Sequence, residues 1–469
     1  MYNKALVIID KYTPLLFLNE IKGFLNKLDV KCFFYQTSNF SFSTLLFCAE
    51  SRVISKNMTH NKIKYVNEDF IKKNSFLYLS DFSQNRKNLH EFIDFKYYLL
   101  INGNSFHKCS FKSFYIPIQD KNESSYFRIK VFLKNKKKPK INLNFEIQTA
   151  SIGAKNFVRS FKLSNLFLKK GINQIKTDTK PEIIKEKFLL SKYFINALKN
   201  ILIKKLKKGH KKFSVYLYNK KDNKLMQLMN QENKWNADPF LVEFKGEHYI
   251  FFEEYDTNKM KGHLACSKIE SNKIIYLGEI LDSKEHLSFP FIFEHEKKFY
   301  MVPESSSKRS VDIYKCTDFP FKWEHSHSIL KDISAVDSVI FYHKNLFWLF
   351  TNSNYDILSQ PHNSLSIFYS DNLFETNWIP HAQNPILIKN GGRNAGRIII
   401  EGKTIYRVSQ KYGYQNYGNG VLFNEIIKLT TSEYKEKISK QFTPYNKING
   451  IPHHFDKKNN FEVFDLDYV

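Results

Sequence analysis

The chain has 469 residues, which suggests two or three domains, and 42% of them are hydrophobic and 16% aromatic, enough for a sizeable core. It holds no run of about 18 uncharged apolar residues, which argues against a membrane-spanning helix, and its opening, "MYNKALVIID", lacks the basic head and small-residue cleavage site of a secretory signal. The formal net charge of +26 suits a partner with phosphates, whether nucleic acid, anionic lipid or a phosphorylated substrate, although heavy use of Lys, Asn, Ile and Phe produces the same sum without one. Cys32, Cys48, Cys109, Cys266 and Cys316 form an odd set with no CxxC pair, as expected of a reduced, cytoplasmic protein without structural zinc.

The first part of the chain reads as mixed α/β. "ALVIID" (5–10) has the pattern of a buried strand. "PLLFLNEIKGFLNKL" (14–28) starts with Pro at a first helical turn and keeps helical apolar spacing, and "VKCFFY" (30–35) is a second strand. Further strands are expected at 75–81, 96–103, 112–118, 126–133 and 140–148. Strand, helix, strand at the start implies a parallel core with a right-handed crossover. Neither GxGxxG nor GxxxxGK[ST] is present there, which argues against a dinucleotide or P-loop site.

Residues 180–212 read as a basic amphipathic helix. Ile184, Phe188, Ile195, Leu198, Leu202 and Leu206 mark one face, and Lys199, Lys204, Lys205, Lys207, Lys208, Lys211 and Lys212 crowd its end. Such a helix serves either as a linker with a solvated basic face or as a seat on anionic lipid headgroups.

From residue 213 the chain changes to short strands and turns with an internal repeat. "ADPFLVEFKGEHYIFFEE" (237–254), "SFPFIFEHEKKFYMVPES" (288–305), "VDSVIFYHKNLFWLFTNS" (336–353) and "NAGRIIIEGKTIYRVSQK" (394–411) align on Tyr249, Tyr300, Trp348 and Tyr406. Four residues after each anchor stands a polar group: Glu253, Glu304, Asn352 and Gln410. Eleven residues before the first three anchors stand Asp238, Phe289 and Asp337, with Gly396 and Arg397 near that place in the fourth copy. The unit is roughly 50 residues and three to four strands, the size of a β-propeller blade. "KKFSVYLYNK" (211–220) and the tail "IPHHFDKKNNFEVFDLDYV" supply strands for a fifth blade closed from both ends, which would remove exposed strand edges. The fold class is therefore an α/β N-terminal domain (1–179), the linker helix (180–212) and an all-β C-terminal domain, a five-bladed β-propeller (213–469).

In a propeller the hairpin brings both strand ends to one rim, so these polar groups should gather at the centre. Several carboxylates with an Arg are what glycosyl chemistry needs: a base or nucleophile, an acid of raised pKa, a third carboxylate to tune them and a guanidinium to grip an anion. Asp238, Glu304 and Asp337 are the expected catalytic groups. Glu253, Glu254, His286, Arg397, Asn352, Gln410 and Trp235 are expected to bind substrate, with Phe240, Phe289 and Tyr255 as further stacking surfaces. Glu253 and Glu254 are adjacent, so only one can face inwards, and His453 and His454 are weaker candidates. No HExxH pattern points to a metal, and no cofactor is expected.

"WNADPF", "YIFFEEYD", "HLSFPFIFEHEKKFYMVPESS", "VDIYKCTDFPFKWE", "AVDSVIFYHKNLFWLF" and "NAGRIII" together resemble the five-bladed propeller domain in the N-terminal part of plant glucosamine inositolphosphorylceramide transferases. That domain also occurs in bacterial proteins beside a formyltransferase-like region, and its superfamily is similar to furanosidase-type glycoside hydrolases such as arabinanases and fructosidases. The resemblance implies Asp238 as base or nucleophile, Asp337 as pKa modulator and Glu304 as acid. The chain departs from the hydrolase pattern in having Phe289 in the second blade and in the order of Glu304 and Asp337. The N-terminal part looks like a diverged formyltransferase-like domain, but Asn102 and His107 do not reproduce that family's spacing, so a silent scaffold or acceptor-binding surface is expected.

The resemblance implies a glycosyltransferase of surface polysaccharide or glycolipid biosynthesis, taking an activated sugar donor and a glycan or lipid-linked acceptor. The alternatives are a furanosidase-type glycoside hydrolase and a non-catalytic glycan-binding or scaffold protein. The expected location is the cytoplasm, peripheral to the anionic inner membrane face. Nucleic acid is not expected as a partner, for want of any recognised motif.

Overall fold

The computed structural model describes residues 3–9, 15–26, 30–36, 65–67, 69, 73, 76–81, 95–101, 124–133, 141–148, 174–175, 191, 193, 195–196, 212–270, 273–353, 364–386, 391–412, 418–445 and 448–468. Two compact units divide at Lys207 and Lys208. Among the described residues no helix is long and apolar enough to cross a membrane.

The first unit is built on a seven-stranded sheet. Val30–Gln36, Asn3–Ile9, Phe76–Asp81 and Phe95–Ile101 lie side by side in parallel. Ser124–Leu133 and Ile141–Gln148 continue it antiparallel, and Gln174–Ile175 ends it. The helix Leu15–Asn26 joins the first two parallel strands and buries Leu18, Ile21 and Leu25, spaced three and four apart as one helical face requires. Asn102, His107 and the strand expected at 112–118 lie outside the described residues, as does nearly all of the helix expected over 180–212. Of that helix, Tyr193 and Asn196 are buried while Ile195 is 64% exposed. The three-residue step from 193 to 196 sets the inward face, and Ile195 falls off it.

The second unit is a five-bladed propeller of four-stranded antiparallel sheets. The first four blades run Lys234–Phe244 to Lys273–Leu281, Ser288–His295 to Lys322–Lys331, Ala335–His343 to Ile379–Pro380, and Ile399–Glu401 to Tyr434–Gln441. The fifth takes Phe455–Lys458 and Phe461–Tyr468 from the C-terminal end and Lys212–Asn219 and Lys224–Gln227 from the start of the unit. The two ends of the domain thus hydrogen-bond within one sheet, and the ring closes as the sequence led us to expect. Its core lies between blades: Phe240, Phe291, Val339, Trp348 and Phe350 in one cluster, and Val242, Phe251, Leu264 and Met301 in another.

The four aligned segments are the inner hairpins of the first four blades, and the first three share a β-bulge. Pairing jumps from Ala237 to Phe240, from Ser288 to Phe291 and from Val336 to Val339, so two residues oppose one on the returning strand. The first bulged residue is Asp238, Phe289 or Asp337, and each is left-handed, with φ of 50°, 47° and 48°. Each such backbone costs roughly 1–2 kcal/mol for a non-glycine residue. The next residue in two of the three is proline, which suits a position excused from ladder hydrogen bonding.

Candidate active site

The bulges turn Asp238 and Asp337 out of the strand alternation, and the register sets Glu253 opposite Ala237 and Glu304 opposite Ser288. Each returning glutamate therefore emerges beside a bulge. Asp238, Glu253 and Asp337 are 7%, 5% and 1% exposed. The electrostatic field joins the four side chains: Glu253 feels the charges of Asp238, Glu304 and Asp337, and Glu304 those of Asp337 and Asp238.

Asp238 is held by the fifth blade. Its N–H donates to Asp465 Oδ2 (3.0 Å). Its Oδ1 lies 3.4 Å from His453 Nε2 and 3.5 Å from His454 Nδ1. Asp465 Oδ1 accepts from the backbone N–H groups of His453 (3.1 Å) and His454 (2.9 Å), and sits 2.8 Å from His453 Nδ1. Phe213 stacks on the His453 ring at 4.3 Å, and the His454 ring stands edge-on to Phe240 and Phe289. Burial alone would raise the Asp238 pKa, but the His454 contact and the charges of His453, His454 and Arg393 outweigh it and hold the carboxyl down at about 2. Burial would lower the His453 pKa, and the Asp465 and Asp238 carboxylates raise it.

The glutamates shift the other way. Burial, then the charges of Asp238, Glu304, Asp465 and Asp337, push Glu253 well above the ordinary carboxyl range. Burial and Asp337 push Glu304 up, against the opposing pull of Arg393, and Glu304 also hydrogen-bonds to Asp337. One buried cluster therefore sets an aspartate of lowered pKa beside glutamates of raised pKa, which is the division of labour acid–base chemistry requires.

The guanidinium at this cluster is that of Arg393. It grips Asp337 with two nitrogens, Nε on Oδ2 and Nη2 on Oδ1 (3.3 Å), and its Nη2 is 3.9 Å from Glu304 Oε2. Two asparagines fix its loop. Asn352 Nδ2 donates to Gly392 O (2.8 Å), and the Asn394 N–H donates to Asn352 Oδ1 (2.8 Å). Asn394 Nδ2 donates to Asp337 O (2.8 Å), and the fully buried Arg407 donates to Gly391 O (2.6 Å).

Arg397 is engaged elsewhere. Its Nε and Nη2 bind Asp456 at 2.5 and 2.8 Å, Nη2 also donates to Leu241 O (2.9 Å), and the group lies over Phe240 and Phe291. Glu254 points into the first blade, where Lys234 (2.6 Å), His263 (2.8 Å) and Tyr276 (3.1 Å) converge on its Oε2. Trp235 is buried, stacked on Tyr255 at 4.6 Å. Gln410 is buried, and its N–H donates to Arg393 O (2.8 Å). His286 stands at the edge of the cluster, its Nε2 3.5 Å from Glu253 Oε1.

Arg393 and Asp465 were missed from sequence. "NGGR" was a usable signal, since paired glycines allow a backbone close enough for one Arg to reach inwards. Asp465, in an alternating strand, carried none. Asp238, His453 and Asp465 are the described trio with metal-compatible spacing, their ligand atoms within 4.8 Å of one another. Three N–H contacts already engage Asp465, so the trio is satisfied as a hydrogen-bonded chain.

Residues 223–459 match the family model described as glucosamine inositolphosphorylceramide transferase 1, N-terminal. The protein of that name (transferase 1) from Arabidopsis thaliana is 34% identical over 233 residues, 47% of this chain and 30% of that protein. The counterpart from Oryza sativa subsp. japonica is 34% identical over 205 residues, 43% of this chain and 27% of that protein. The match thus spans about a third of these relatives' length. Solved structures similar to the chain include a family 117 glycoside hydrolase from Zobellia galactanivorans (11% identity, 55% of this chain and 90% of that one, TM-score 0.36). A second is the RS223 β-xylosidase (9% identity, 50% and 91%, TM-score 0.37). At that level these likenesses bear on neither substrate nor chemistry. The matched stretch takes in most of the propeller, from the outermost strand of the fifth blade to its innermost, and by it the chain belongs to the family of the N-terminal domain of glucosamine inositolphosphorylceramide transferase 1.

Proposed function

We propose that the propeller is a carbohydrate-active domain working on a glycosidic carbon at this carboxylate cluster, and that the protein transfers a sugar to a glycolipid or glycan acceptor. The observation that carries the reading is the split in one buried cluster, Asp238 held down at about 2 while Glu253 and Glu304 are held up. Asp238 serves as base or nucleophile, a protonated glutamate supplies the leaving oxygen with its proton, and the Asp337–Arg393 pair fixes the field around them. The relatives' name, glucosamine inositolphosphorylceramide transferase 1, supports a lipid-linked acceptor, and the +26 charge would favour an anionic membrane surface. The N-terminal unit, whose opening strands and helix suit a diverged formyltransferase-like α/β domain, would then present the acceptor.

A second reading has its own support. A protonated acid is of most use to an alkoxide leaving group, which needs the proton, and of least use to a phosphate, which does not. This favours a glycosidic donor, with water as an alternative acceptor. The test is product analysis with glycoside and nucleotide-sugar donors, with and without lipid acceptor. Glycosylated lipid supports transfer, and free sugar alone supports hydrolysis. The Asp238→Asn variant should stay folded and lose turnover by at least about 10²-fold. Ligand binding with no turnover of any donor would make the domain a binding module and end the proposal.

A further inference from the structure

Glu253 and Glu304 are not equivalent proton carriers. The Glu304 carboxyl hydrogen-bonds to Asp337, which Arg393 holds from the other side, so its proton is committed within the protein. Among the described residues, Glu253 shows no such bond to another carboxylate. Its contact is with His286, at 3.5 Å from Nε2 to Oε1, and that side chain is 45% exposed.

The strand Lys261–Glu270 fixes this contact. The Gly262 N–H donates to His286 Nδ1 (2.9 Å). An N–H can be accepted only by a ring nitrogen without a proton, so the remaining proton lies on Nε2, the atom facing Glu253. Leu287 N–H donates back to Gly262 O (3.0 Å), which anchors the segment carrying the histidine. A side chain at 262 would destroy the arrangement: its Cβ would stand 2.6 Å from Leu287 O, 2.7 Å from Glu253 Oε1 and 2.8 Å from His286 Cε1. Lys261 secures the same segment through Asp282 (2.7 Å) and Ser283 O (2.5 Å).

We propose that Glu253 is the proton donor of the site, and that His286, locked by the Gly262 amide, positions it by directing Nε2–H at Oε1 and so leaving the acid proton on Oε2. This rests on the reaction proposed above and assigns its acid. As the bond from the anomeric carbon to the leaving oxygen breaks, its electron pair stays on that oxygen, which takes the Oε2 proton. The incoming hydroxyl oxygen forms the new bond to that carbon and gives up its proton, directly to Glu253 or by way of Asp238, and the His286 N–H steadies the carboxylate in between. Burial, then the surrounding carboxylates Asp238, Glu304, Asp465 and Asp337, raise the Glu253 pKa well above the ordinary carboxyl range and so favour the form that carries the proton.

The test has two arms. Infrared difference spectra of the full chain, labelled at glutamate, should show a protonated carboxyl band near neutral pH that disappears in Glu253→Gln. The band should shift in His286→Ala and return towards its place in His286→Gln, whose amide N–H reaches the same oxygen. This arm needs no turnover, so it holds or fails whatever becomes of the proposed reaction. In the second arm, turnover of a glycoside with a poor leaving group should fall by about 10²–10⁴-fold in Glu253→Gln, and less for an activated leaving group. His286→Ala should lower kcat more than it raises KM and move the alkaline limb of the pH profile. A Glu253 band that is absent in the native protein, or that is indifferent to His286→Ala, overturns the inference. So does a leaving-group dependence that follows Glu304→Gln and not Glu253→Gln.

Discussion

Asp337 and Arg393, on the third blade and on the glycine-rich loop leading into the fourth, form a two-nitrogen ion pair that also brings the guanidinium to 3.9 Å from Glu304. A carboxylate on a left-handed bulge is thereby matched by a cation from a separate segment. Together they decide how the remaining acids of the cluster share their protons.

Arg393→Met should leave Asp337 buried and unpaired, and should cost about 3 kcal/mol in unfolding free energy, the lower end for a broken buried pair. Arg393→Lys should restore only part of it, because an ammonium cannot match two carboxylate oxygens at once. The double variant with Asp337→Asn should be more stable than the sum of the two single losses. Urea unfolding of all four proteins measures the cycle, and strict additivity would mean the pair contributes nothing.

Stability should fall as the solution becomes alkaline. Glu253 and Glu304 have folded-state pKa values above their ordinary 4.5, so the folded chain holds more protons from that pH upwards, and stability declines as pH rises through the raised values. His453 is raised above 6.5, so its contribution is complete below that value and is lost above it. Asp238 works in the other direction: its contribution is present above 3.8 and disappears only as pH falls towards about 2. The expected optimum is therefore mildly acidic, with a slope of up to about 1.4 kcal/mol per pH unit for each proton involved. Urea midpoints at about pH 5, 7 and 9 measure it. Glu253→Gln and Glu304→Gln should each flatten the profile, and a native profile that rises with pH over that range would contradict the assignment.

Gly396→Ala should be among the most damaging single-atom changes in the ring. Gly396 has a φ of 148°, and a Cβ there would lie 2.0 Å from Phe455 O. The Phe455 N–H donates to Ala395 O (2.8 Å), so the neighbouring strand has no freedom to retreat. A loss of about 3 kcal/mol or more is expected, from overpacking against backbone. Gly402→Ala, with a φ of 59° and open space around it, should pay only the left-handed penalty of about 1 kcal/mol. Equal midpoint shifts for the two would show that contact with Phe455 does not matter.

The propeller was legible because its signals are local and repeated. Alternation with period two, an aromatic anchor and a turn recur four times, and each recurrence supports the others. The same repetition exposed Asp238, Asp337, Glu253 and Glu304, which keep fixed offsets from the anchors. What stayed hidden depends on closure. Arg393 and Arg397 are four residues apart in one segment, and only the folded ring decides that the first meets Asp337 and the second Asp456. Asp465 reads as one of several alternating acids until the last strand brings it under Asp238, 227 residues away. Phe289 teaches a different lesson. It carries the same left-handed backbone as its two acidic counterparts, so the strained geometry belongs to the repeat, and a carboxylate stands on two of its three copies.

The clasp at the fifth blade also sets the smallest piece worth expressing. Cut at residues 223 and 459, the limits of the family match, that sheet would keep its outermost strand, Lys224–Gln227, and its innermost, Phe455–Lys458, with neither Lys212–Asn219 nor Phe461–Tyr468 to bridge them. Asp465 would leave with the discarded tail, and the amide of Asp238 would lose its acceptor. Recombinant fragments should therefore start no later than Lys212 and run at least to Tyr468, eleven and nine residues beyond what homology alone would suggest.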